Sequence, residues 1–111
     1  MTIQTEQLPS RNADAERCLL GSILIDNGAL DQVIDRLEAR HFQDDSNRRI
    51  YAACCRLADG GQRIDAQSLS EELKRRGEYD GIGGGAYLIK LVEGVPSGVL
   101  AGQYAAIVRS N

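Results

Sequence analysis

Cys18, Cys54, Cys55 and His41 are the only cysteines and the only histidine in the chain. Together they would be enough for one zinc ion, but structural zinc sites present pairs such as C-x-x-C in a turn. Cys54 and Cys55 are adjacent, and neighbouring side chains on a helix point about 100° apart. One of them should face a core and the other should not. Cys54 therefore reads as a small buried hydrophobe, and no metal site is expected. His41 has no Ser, Cys or carboxylate motif beside it, so it offers no acid–base pair. It reads as a loop histidine bonded locally.

The glycine run carries the next chemical signal. Gly81, Gly83 and Ala86 match G-x-G-x-x-A, a form of the dinucleotide fingerprint. That chemistry needs a strand before the glycines and an acid about 20 residues later for the ribose. The chain has Gly77-Glu78-Tyr79-Asp80 before them and Ala101-Gly102-Gln103-Tyr104 after. The first is a turn and the second holds no carboxylate. No glycine is followed by Lys-Ser or Lys-Thr, so a phosphate-binding loop is not expected either. The run reads as a tight link between helices that needs glycine conformations. Asp44-Asp45 and Glu71-Glu72 read as capping and dipole complementation near helix starts. Arg48, Arg49, Arg56 and Arg63 read as a solvated, salt-bridged face because acids surround them. The four tyrosines do not interleave with Lys and Arg as a base-stacking platform would.

These side chains must be positioned by very few elements. The chain has 111 residues, the size of one domain. Its formal net charge is −3 and only 5% of residues are aromatic. Nucleic-acid affinity comes from basic groups neutralising phosphates. The domain is thus expected to bind DNA weakly and to meet proteins instead. An odd number of cysteines without regular spacing argues against a disulfide framework. Reduced thiols, no signal peptide and no membrane-length apolar run point to the cytoplasm.

Apolar residues recur at helical spacing throughout, and no segment alternates as a strand would. Residues 1–11 are polar and read as a flexible arm, with residues 12–111 as the helical domain. A first helix is expected from Asn12 to about Ile25, with Leu20, Ile23 and Leu24 inward. Gly21 lies inside it at a cost of about 1 kcal/mol against alanine, so a close helix crossing would explain it. Leu30, Val33, Ile34 and Leu37 mark a second helix, and Phe42 an anchored loop. Asp45 or Ser46 would cap a third helix carrying Ile50, Ala53, Cys54 and Leu57, stopped by Gly60-Gly61. Asp65 would cap a fourth, with Leu69 and Leu73 inward and Gly77 at its end. Leu88, Leu91 and Val92 indicate a fifth. Leu100, Tyr104, Ile107 and Val108 form the stripe of a last helix and are the candidate protein-interaction residues. It reaches Asn111 without a stop signal, so a longer helical region is expected beyond it. The fold class is all-α: five to six short helices in a compact orthogonal bundle. Leu20, Ile34, Leu57, Leu73 and Leu88 are expected in its core.

The order of these segments resembles a known family. Ala15-Glu16, then Leu19-Leu20-Gly21-Ser22-Ile23-Leu24-Ile25-Asp26-Asn27, is similar to the opening of the DnaB family of bacterial replicative DNA helicases. Phe42, Arg49-Ile50-Tyr51, Gly61 to Ile64-Asp65, Leu69, Glu72-Leu73 and Gly77 continue the likeness. Ile82-Gly83-Gly84, Ala86-Tyr87-Leu88, Pro96-Ser97 and Tyr104 to Arg109 complete it. His41 stands where the family has an acid, Arg17-Cys18 differ from its small or amide residues, and Gly85 extends its glycine pair. The resemblance implies a non-catalytic N-terminal collar domain of a hexameric helicase, supporting ring assembly and receiving primase and, in some members, the loader. It implies no cofactor in this domain. ATP, Mg and single-stranded DNA would belong to a motor domain outside the chain. Self-association as dimers within a hexameric ring is implied too. Two other readings use the same residues: the helicase-binding domain of primase, and a small nucleotide- or metal-binding enzyme domain.

Overall fold

A computed structural model describes residues 2–95 and 101–110, with side chains described from residue 12 onward. The described residues form six α-helices and one 3-10 turn and contain no strand. The helices are α1 (Thr2–Ile25), α2 (Gly28–Val33), α3 (Asp45–Asp59), α4 (Ala66–Arg75), α5 (Gly84–Glu93) and α6 (Ala101–Arg109). The 3-10 turn is Ala39–His41. Helix α1 is the axis of the domain and packs against α2, α3, α5 and α6. Helix α4 closes the far side across α3 and α5.

Helix α1 is not short. It begins at Thr2, so the helix runs straight through the expected start at Asn12 and through most of the segment read as an arm. Polar composition was a poor guide there, because Gln, Glu, Leu and Arg all favour helices. Downstream of Asn12, Ala15, Leu19, Leu20 and Ile23 bury one face of α1 at 3% exposure or less. Gly21 lies where α5 crosses. A Cβ placed on it would stand 2.2 Å from the Leu91 carbonyl oxygen and 2.4 Å from Val95 Cγ2. The missing side chain is what lets the two backbones meet.

The turn after α1 is tied to a distant loop. The Asn27 amide donates to the Ile23 carbonyl and, 37 residues away in sequence, to the Ile64 carbonyl at 2.8 Å. Its Oδ1 accepts from the Ile64 N–H at 2.7 Å. Helix α2 ends at Val33, before the expected Leu37, yet Leu37 is still buried. Ile34, expected in the core, is only partly buried at its edge. As the C-cap residue of so short a helix it falls off the inward stripe. Leu20, Leu57, Leu73 and Leu88 are core as expected. Phe42 is 1% exposed and its ring centroid lies 4.8 Å from that of Tyr51. The Tyr51 hydroxyl in turn donates to the Leu37 carbonyl.

The caps follow side-chain chemistry. Asp44, one residue before the expected position, accepts from the Asn47 N–H and opens α3. Asp65 accepts from the Ser68 N–H while Ser68 Oγ accepts from the Asp65 N–H, a reciprocal capping box. Gly61 and Gly77 have φ near +70°, a region that favours glycine, and each follows a helix end. The arginine face is paired: Arg48 and Arg49 with Asp45, Arg63 with Asp65. Glu72 corrects the reading of the paired acids. It lies beyond the first turn of α4 and is buried, where it binds Arg56 at 2.6 Å and also Arg75. These two arginines hold its carboxyl below the usual carboxylate range.

Cys54 is fully buried and Cys55 half-buried, as their helical offset requires. Burial, with the Cys55 sulfur adding to it, pushes the Cys54 thiol up from 9.0 to about 12. A thiol that ionises only when unfolded stabilises the fold below the unfolded pKa. That contribution is then lost as pH rises toward the folded value. Stability is expected to fall from about pH 9 upward, and Cys54→Ala should flatten that slope. Urea titrations at stepped pH test this, and an equally steep decline in the variant would show that Cys54 is not responsible.

Candidate protein-interaction site

The last helix has three distinct sides. Ala101, Ala105 and Val108 point inward and are 5% exposed or less. At about 100° per residue, Tyr104 and Ile107 fall on one flank, with Ala106, Arg109 and Ser110 on the other. Of the four candidate residues, the structure brings Tyr104 and Ile107 together, both partly buried against the core. Val108 is 0% exposed and cannot contact a second molecule, because the helical phase turns it onto α1 and α2. Leu100 lies outside the described residues. The stripe thus serves mainly the chain's own core and leaves a narrower apolar flank.

Tyr104 is held beside Cys18 of α1. Burial, followed by the Cys18 thiol, pushes its phenol above the usual range, so Tyr104 is an uncharged aromatic at neutral pH. Cys18 also sits 3.8 Å from the Gly94 carbonyl at the end of α5. The Tyr104 flank therefore lies where α1, α5 and α6 come together.

A buried polar network, not anticipated from the sequence, positions the first half of the domain. Glu16 is 1% exposed. Its carboxylate accepts from the Gln43 N–H at 2.7 Å, the Asp44 N–H at 3.3 Å and the Asn47 amide at 2.9 Å. The Tyr87 hydroxyl donates to Asn47 Oδ1. Burial and the nearby Asp44 carboxylate push the Tyr87 phenol up, which keeps it a donor. One carboxylate thus joins α1, the loop before α3, and α3 itself, and Asn47 extends the link to α5. The sequence did hold a signal. Glu16 lies at i−3, i−4 and i−7 from Leu19, Leu20 and Ile23, so an acid stands on the apolar stripe.

The other chemical candidates lie apart. His41 Nδ1 accepts from the Glu38 N–H at 2.9 Å, the local bond expected for it. Among the described residues no three His, Cys, Asp or Glu side chains gather as metal ligands would. Gly83 and Gly84 have φ of 106° and 63° and start α5 from a turn. No strand precedes them among the described residues. No described helix is long and apolar enough to cross a membrane.

Comparison with known proteins matches residues 8–110 to the family model described as DnaB-like helicase N terminal domain. The chain is 38% identical over 102 residues to a replicative DNA helicase DnaB of Treponema pallidum (strain Nichols), covering 92% of the chain and 23% of that protein. It is 36% identical over 100 residues to the protein of that name in Mycobacterium leprae (strain TN), covering 90% and 17%. With that of Geobacillus stearothermophilus it shares 31% over 107 residues, covering 96% and 24%. The chain therefore spans about a quarter or less of the length of these relatives. The crystal structure of the N-terminal domain of DnaB helicase from Mycobacterium tuberculosis superposes with a TM-score of 0.85. It is 36% identical, and the match covers 88% of the chain and 70% of that structure.

Proposed function

Because the chain belongs to the family of DnaB-like helicase N-terminal domains, we propose that it is the non-catalytic collar domain of a hexameric replicative helicase. In that role it supports ring assembly and receives primase and a loader in the cytoplasm. ATP and Mg are bound, and single-stranded DNA is moved, by a motor domain of the parent protein. The observation that supports the collar role is the flank formed by Tyr104 and Ile107. It is apolar, only half covered by its own domain, and lies beside the α1–α5 junction. Symmetric pairs formed through one self-complementary patch are the commonest oligomers, and such a flank suits one.

A monomer–dimer equilibrium is the expected behaviour of this chain, with residues near Tyr104 and Ile107 in the contact. Ile107→Asp should place a charge in that contact and weaken dimerisation by about tenfold or more, since desolvating an unpaired charge is costly. Sedimentation velocity across a concentration series, with circular dichroism to confirm the fold, tests it. A dimer untouched by the substitution would move the interface elsewhere, and a stable hexamer would overturn the expected monomer–dimer equilibrium.

A further inference from the structure

On its other flank, α6 borders an open cleft of about 640 Å³ lined by Arg36, Arg40, His41, Ala105, Arg109 and Ser110, among others. That volume is in the range of ordinary ligand pockets. Three guanidiniums meet there on a chain whose net charge is −3. Arg36 reaches across from the end of α2. One of its terminal nitrogens would lie 3.4 Å from a Cβ on Gly102 and donates to the Gln32 carbonyl of α2. Arg109 has no ion pair among the described residues. Arg40 is paired with Glu38 at 2.6 Å. Arg40, with a smaller contribution from Arg109, holds the Glu38 carboxyl low. His41 Nδ1 accepts from the Glu38 N–H, so in the neutral ring Nε2 carries the proton and is a donor. The carbonyl end of α6 contributes about half a negative charge, which the guanidiniums outweigh.

We propose that this cleft is a docking site for an acidic segment of a partner protein, taking one or two carboxylates with an adjoining apolar side chain. Guanidiniums bind carboxylates bidentately and keep their charge at any working pH. Ala106 supplies a small apolar floor beside them. A nucleic-acid backbone fits less well. It needs basic groups strung along a track and aromatic faces for bases, whereas here the arginines gather at one cleft and no Phe, Tyr or Trp is among the described residues that line it. The site is separate from the Tyr104 and Ile107 flank, so its occupancy does not rest on the collar reading.

Fluorescence anisotropy with the whole chain tests the site. The probe is a fluorescein-labelled octapeptide alternating aspartate with leucine, and an oligothymidine of equal length is the comparison. Saturable peptide binding is expected, weakened about tenfold by Arg36→Ala or Arg109→Ala, since a charge-assisted hydrogen bond contributes on that order. Arg76→Ala, at the exposed end of α4, should leave it unchanged. Absence of saturable binding at low salt would overturn the proposal. So would equal weakening by Arg76→Ala, which would indicate attraction to charge in general. Tighter binding of the oligothymidine with the same arginine dependence would assign the cleft to nucleic acid.

Discussion

Replacing Glu16 with alanine is expected to destabilise the domain by about 3–5 kcal/mol. The loss has two parts. The carboxylate accepts three hydrogen bonds from donors in the loop before α3 and in its first turn. Removing it leaves the buried Asn47 amide and two part-buried loop N–H groups without this acceptor, at about 1–3 kcal/mol for each one that water cannot reach. The substitution also opens a cavity beneath the loop, since Glu16 is as buried as its leucine neighbours. Glu16→Gln should fall between the two. It retains one oxygen but turns an NH2 group toward donors. Urea denaturation followed by circular dichroism checks both variants. A loss below about 0.5 kcal/mol for the alanine variant, typical of a surface site, would show that the network does not hold the loop.

Gly21→Ala is expected to cost about 3 kcal/mol, even though alanine is the better helix former. On an isolated helix the change would gain about 1 kcal/mol. Here the new methyl would meet the Leu91 carbonyl oxygen at 2.2 Å and Val95 Cγ2 at 2.4 Å. Val95 can rotate away, but the carbonyl is backbone inside α5 and cannot. Helix α5 must then slide off α1, loosening Leu88 and Leu91 in the shared core. Overpacking of this kind costs about 1–3 kcal/mol and occasionally more. A backbone obstacle argues for the upper end even after the propensity gain. The expected fall in melting temperature is about 12–20 °C for a domain of this size. A thermal scan that shows a rise in melting temperature would mean that the crossing is looser than the structure describes.

The identity of the helices was legible because their signals are local. Leu69 and Leu73 lie four residues apart, Asp65 caps its own helix, and Gly77 ends it, so each statement needs only a short stretch of chain. The same is true of Cys54 and Cys55, whose different burial follows from one helical step. The family likeness was legible for a related reason. The order of short motifs survives in sequence even where no single motif is diagnostic. Boundaries were less legible. A polar segment before Asn12 and an apolar run through Leu37 both pointed the wrong way, since amphipathic spacing reports which residues are buried and not where a helix stops.

For the candidate site the division is sharper. The sequence by itself determined that the last helix carries an apolar stripe and that Gly21 needs a close neighbour. It did not determine which element supplies that neighbour, and only the packing of α5 across α1 decided it. Tertiary structure also turned Val108 inward while leaving Tyr104 and Ile107 at an edge. It gave Glu16 three donors, two in the loop before α3 and one in α3, all 27 or more residues away, and it gathered Arg36, Arg40 and Arg109 around one cleft. The physical reason is common to all of these. Helical periodicity is a property of neighbours along the chain, whereas hydrogen-bond satisfaction and charge convergence depend on residues that meet only after the chain has folded.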